Sequence, residues 1–115
     1  MRSILVVAAL AAVLAAGPYG PAAAGDDFRP AVVFALGSKF DGSFNEGVWN
    51  GVKRFMDETG VEVMEAQITN EAQRERTLTR MVERGASVVL GVGFGQADAI
   101  DAVAAEYPDR QFAII

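Results

Sequence analysis

Cysteine and histidine are both missing from this 115-residue chain. The first absence excludes disulfides, thiol nucleophiles and thiolate metal sites. The second removes the imidazole general base and the other common zinc ligand. Basic residues are scarce as well. Ten Lys and Arg stand against fifteen Asp and Glu, a formal net charge of −5 at pH 7. That is the wrong sign for a surface that tracks a phosphate backbone, so no nucleic-acid partner is expected. No apolar run reaches the ~20 residues of a spanning helix, and the length allows one domain rather than two.

What is present begins with an address. Met1-Arg2 is a short positive start and Ser3–Ala16 an apolar stretch. Gly17–Pro21 breaks that stretch, and Ala22-Ala23-Ala24 supplies a small-residue cleavage pattern. Residues 1–24 therefore read as a secretory signal peptide and 25–115 as the exported part. With no cysteine after the cleavage pattern, no lipid-anchored form is expected. A bacterial periplasm suits an exported chain without cysteine.

From Ala31 onward the pattern alternates strand and helix. Ala31–Leu36 is a short continuous apolar run, as in a strand buried on both faces. Ser43 and Glu46 have capping-box spacing, and Phe44, Val48, Val52, Phe55 and Met56 follow at helical spacing up to a stop at Gly60. Val61–Ala66 reads as the second strand. A second helix opens at Asn70 with Gln73 and ends before Gly85. Ser87–Val92 is the third strand, a third helix runs from Gln96 to Pro108, and Gln111–Ile115 is the fourth strand.

This order predicts an α/β fold: a parallel sheet in 2-1-3-4 order with helices on both faces, joined by right-handed crossovers. The chain stops inside an apolar strand, so the segment is expected to be the first part of a larger lobe, with one sheet face short of a covering helix.

In such sheets a ligand sits beyond the carboxyl ends of the strands, where strand order reverses. The loops that would meet there are Gly37–Ser43 and Gly93–Gln96. Position thus nominates Phe44, Asn45 and Phe94. One reading makes Phe44 an aromatic lid and Asn45 a polar reader for a flat, neutral ligand; the other makes Phe44 a core contact and Asn45 a solvated helix-start residue. Gly37–Ser43 lacks phosphate-loop spacing, and the Gly91-Val92-Gly93 step follows the third strand, so tight turns and close packing explain both better than a nucleotide site. Arg76, Arg80 and Arg84 form a solvated stripe, Trp49 has a packing role, and Asp98 with Asp101 lacks the further ligands of a metal site. No metal or cofactor is expected.

Four segments resemble a known family: AVVFALGSKFDGSFNEGVWN (residues 31–50), TNEAQRE (69–75), GVGFGQ (91–96) and FAII (112–115). The Phe-Asp-x-Ser-Phe-Asn-x-Gly run is the most specific part. The chain is similar to the amino-terminal part of the BMP/PnrA-like family, the basic membrane protein type of ABC-importer substrate-binding proteins, which includes purine nucleoside receptors. The resemblance implies a periplasmic-binding-protein type I fold with two lobes closing on ligand. It implies a small-molecule ligand, a purine nucleoside above all, and delivery to an ABC permease in the inner membrane. It implies that Phe44 of the Ser43-Phe44-Asn45 element stacks on the base, that Asn45 hydrogen-bonds to it, and that Gly93 and Phe94 line the neighbouring wall. Ala35 stands where family members often carry Asp. Two other readings stay open at this point: an α/β enzyme acting on nucleosides or sugars, and a ligand-sensing domain using the same pocket. An enzyme would need an acid cluster or metal at the strand ends, where the crevice loops supply only Asp41.

Overall fold

A computed structural model describes residues 27–115; the signal-peptide reading of residues 1–24 lies outside the described residues. Four strands and three helices alternate: β1 (Pro30–Phe34), α1 (Phe44–Thr59), β2 (Met64–Gln67), α2 (Arg74–Glu83), β3 (Val88–Gly91), α3 (Ala97–Glu106) and β4 (Gln111–Ile114). Single 3-10 turns, Glu71–Gln73 and Phe94–Gln96, lead into α2 and α3. All pairings are parallel and the order is β2-β1-β3-β4, as the alternation predicts.

β1 is buried along its whole length because each face meets a separate apolar layer. Ala31 and Val33 point to one side, where Leu78, Met81 and Val82 of α2 and Ala99 and Val103 of α3 pack with Val89. Val32 and Phe34 point to the other side, against Val48, Trp49, Val52 and Met56 of α1. The Trp49 ring meets Phe34 edge-on at a centroid separation of 6.4 Å. The continuous apolar run in the sequence is the signature of this two-sided burial.

Some boundaries differ from the sequence pattern, each for a physical reason. β1 ends at Phe34, two residues before the apolar run does, because the Ala35 N–H turns to the Asn45 side chain. β2 starts at Met64 rather than Val61. Gly60, at φ +72°, closes α1 by donating to the Met56 carbonyl at 2.9 Å, and residues 61–63 then carry the chain across to reach β1. At the start of α2, the Gln73 side-chain Oε1 accepts from the Thr69 N–H and hydroxyl rather than from the Asn70 N–H, while the Gln73 N–H donates to the Asn70 carbonyl at 3.2 Å.

The face carrying α1 is incompletely covered. An apolar groove of about 620 Å³ runs between α1 and the sheet, lined by Val32, Val52, Phe55, Leu90 and Ile115 among others. The predicted inward stripe of α1 is accordingly only partly realised: Val52 is buried, whereas Val48, Phe55 and Met56 are half-buried and Phe44 is exposed. Among the described residues, no helix is long and apolar enough to cross a membrane.

Candidate functional site

The carboxyl ends of β1 and β3 are neighbours in the sheet, so the connections that leave them meet at one edge. The meeting is direct. A Cβ placed on Gly93 would lie 3.4 Å from that of Ala35, and the Val92 N–H donates to the Val33 carbonyl at 2.9 Å. Gly93 has φ +90°, a conformation that L side chains rarely adopt, which accounts for glycine at this bend. Gly91 answers a different need, since a Cβ there would come 2.5 Å from Ile100 Cδ1. Close packing and a tight turn thus explain this glycine series.

The β1–α1 connection is held at several points. Asp41 caps α1: its carboxylate accepts from the backbone N–H of Ser43 at 2.8 Å, Glu46 at 3.1 Å and Asn45 at 3.3 Å. The sequence pattern predicts this role for Ser43, but Ser43 makes no side-chain cap bond. The longer reach to three donors belongs to the aspartate two residues upstream, and Glu46 instead accepts from Gly42 N–H at 2.8 Å. Desolvation pushes the Asp41 carboxyl up, yet the donors of Ser43, Glu46 and Asn45 together outweigh it and hold its pKa below the ordinary aspartate value.

Lys39 fastens the same loop sideways. Its ammonium pairs with Glu65 of β2 and lies 3.9 Å from the centre of the Trp49 ring, while its backbone N–H donates to Gln67 Oε1 at 3.2 Å.

Phe44 and Asn45 then separate. The Phe44 ring is 54% exposed at the first position of α1, where it lines one end of the apolar groove with Ser43 and Val48. Asn45 is 2% exposed and not solvated. Its Oδ1 accepts from Ala35 N–H at 3.2 Å, and its Nδ2 makes longer contacts of 3.4 Å to the carbonyls of Ala35 and Ser38. In this arrangement Asn45 replaces the strand partner that Ala35 lacks, so its amide shapes the loop. Across the edge, Phe94 is 87% exposed, and Ser43 is exposed beside Phe44. Phe40, which the sequence pattern does not single out, is also exposed in the β1–α1 loop. Its signal is weak because Lys-Phe-Asp-Gly reads equally as a plain turn.

Such an edge can offer aromatic faces and a hydroxyl at Ser43 to a solute, whereas the Gly93 N–H donates to the Ile115 carbonyl at 2.8 Å and its carbonyl accepts from the Gln96 N–H at 3.0 Å. Among the described residues no group of three His, Cys, Asp or Glu side chains could hold a metal ion.

Comparison with known proteins agrees with this architecture. The family model described as ABC transporter substrate-binding protein PnrA-like matches residues 28–115. A CD4+ T-cell-stimulating antigen of Listeria monocytogenes is 31% identical over 94 residues, covering 77% of this chain and 26% of that protein. An uncharacterised lipoprotein of Pyrococcus furiosus is 32% identical over 92 residues, covering 79% of this chain and 23% of that protein. Among solved structures, an ABC transporter solute-binding protein from Aeropyrum pernix superposes with a TM-score of 0.69 at 27% identity, over 76% of this chain and 24% of that one. One from Conexibacter woesei gives 0.64 at 28% identity, over 73% and 28%. The chain spans about a quarter of the length of the curated relatives it matches.

Proposed function

This chain belongs to the PnrA-like family of ABC transporter substrate-binding proteins, and we propose that the full gene product captures a purine nucleoside, or a related small polar solute, for import. The observation that carries the reading is the pair of exposed rings, Phe44 at the start of α1 and Phe94 in the turn before α3, which follow adjacent strands. An aromatic side chain this exposed gains little for folding, whereas stacking on a base is worth about 1–3 kcal/mol. A nucleoside is neutral, so an acidic protein whose site lacks a cluster of cations can still hold it.

In this reading Phe44 and Phe94 offer the flat faces, Ser43 adds a hydroxyl, and Gly93, whose N–H is held by the Ile115 carbonyl, shapes the neighbouring wall. Asn45 holds Phe44 in place, and contact between its amide and a ligand requires one of the two 3.4 Å contacts to yield. Residues 25–115 form part of the amino-terminal lobe, and a second lobe closes over the ligand and excludes water. Residues 1–24 direct export to the periplasm, where the loaded protein meets an ABC permease of the inner membrane. The family is a solute-binding one rather than an enzyme family, and the ligand is carried unchanged.

Thermal melting of the full gene product with adenosine, guanosine and inosine tests this. Ligand at 100 times Kd adds about 2.7 kcal/mol to the native state, so at least one nucleoside is expected to raise Tm by several degrees. No shift with any of the three removes the nucleoside assignment.

A further inference from the structure

Gln96 ends the 3-10 turn that carries Phe94 and is only 1% exposed. Its Nε2 donates to the Val33 carbonyl at 2.8 Å and to the Val92 carbonyl at 3.1 Å. Both amide hydrogens are therefore engaged, one beside the end of β1 and one just beyond β3. Its Oε1 is buried without a hydrogen-bond partner among the described residues. Turning the amide over would set Oε1 against two carbonyl oxygens, which is unfavourable. The donated pair fixes the orientation.

The other side of the turn is confined as well. A Cβ on Gly95 would come 2.9 Å from a terminal nitrogen of Arg74 at the start of α2, so the backbone there rests close against the guanidinium. Between these two supports the Phe94 ring projects into solvent. A ring so exposed has little packing to place it, and its position follows from the backbone on either side.

We propose that Gln96 is a positioning residue: by fastening the β3–α3 turn to the ends of β1 and β3, it holds the Phe94 ring at a fixed place beside the Phe44 loop. The effect on binding rests on the solute-site reading above, whereas the clamp itself concerns the turn alone. Glutamine suits the position because glutamate would present a second oxygen to the two carbonyls, and methionine would fill the space without donating.

Two variants of the full gene product, Gln96→Met and Gln96→Glu, test the clamp by amide hydrogen exchange. Both are expected to speed exchange of the Val92, Gly93 and residue-96 amides by about tenfold or more, with β1 and α1 amides at wild-type rates. A second arm titrates adenosine, guanosine and inosine. Gln96→Met is expected to weaken binding, and the Phe94→Ala/Gln96→Met double variant to bind no more weakly than Phe94→Ala alone. Unchanged exchange at residues 92–96, an equal rise throughout the chain, or unfolding of both variants overturns the clamp. Losses that add in the double variant overturn the link to Phe94. If no nucleoside binds the wild type, the nucleoside reading fails, and the exchange arm decides the clamp.

Discussion

Phe44 and Asn45 are neighbours in sequence with exchanged environments: the aromatic ring lies in solvent and the carboxamide is buried. Ranking by hydrophobicity would place them the other way round. The inversion follows from the end of β1, where the Ala35 N–H has no strand partner and the Asn45 amide takes it. Asn45→Ala is therefore expected to cost about 1–3 kcal/mol through an unpaired buried group, measured by urea denaturation. Phe44→Ala is expected to leave the urea midpoint almost unchanged. Asp41 adds a pH dependence. Its folded pKa is lowered, so its contribution is fully present above the ordinary aspartate pKa of about 3.9 and is lost as pH falls through the lowered value. Asp41→Asn should flatten the acid limb of a Tm-against-pH curve; an unchanged limb would contradict the capping role. The placement of Phe44 at the start of α1 was legible in the pattern. The burial of Asn45 was not, because it depends on β1 stopping two residues before its apolar run, a tertiary choice that no local spacing encodes.

The elements that carry the site are stiffened from outside it. Lys39 lies over the Trp49 ring and pairs with Glu65, joining the β1–α1 connection to α1 and β2 at once. Exposed ion pairs contribute little, but this side chain is largely covered, and a cation over an indole is worth about 0.5–2 kcal/mol. Lys39→Ala is expected to shift the emission of Trp49, the only tryptophan in the chain, and to speed amide exchange in the loop while Tm falls only slightly. Unaltered emission would show that the contact is not kept in solution. Element order and parallel pairing were readable because apolar runs and capping signals alternate cleanly. Ser43 takes the N-cap position that the spacing predicts, but the side-chain bonds come from Asp41, two residues upstream, which reaches three N–H groups. The late start of β2 was hidden for a related reason, since Val61 and Val63 are apolar but serve the crossing from α1 to the sheet.

Over the whole molecule, the two sides of the sheet differ. One is closed by α2 and α3; the other carries α1 and an open apolar groove. Amide exchange in the full gene product should be slowest in β1, which is buried throughout. The incompletely covered face was legible from the strand-helix count; the extent of the groove was not, since it depends on how far α1 leans over the sheet. In the proposed function, two exposed rings at one end of the sheet form a wall of a solute site. Calorimetric titration of the full gene product with adenosine, guanosine and inosine, repeated for Phe44→Ala and Phe94→Ala, tests it most directly. Saturable binding of at least one nucleoside is expected, weakened about tenfold or more by each substitution, as the loss of a stacking contact requires. Binding that is indifferent to both substitutions would contradict it.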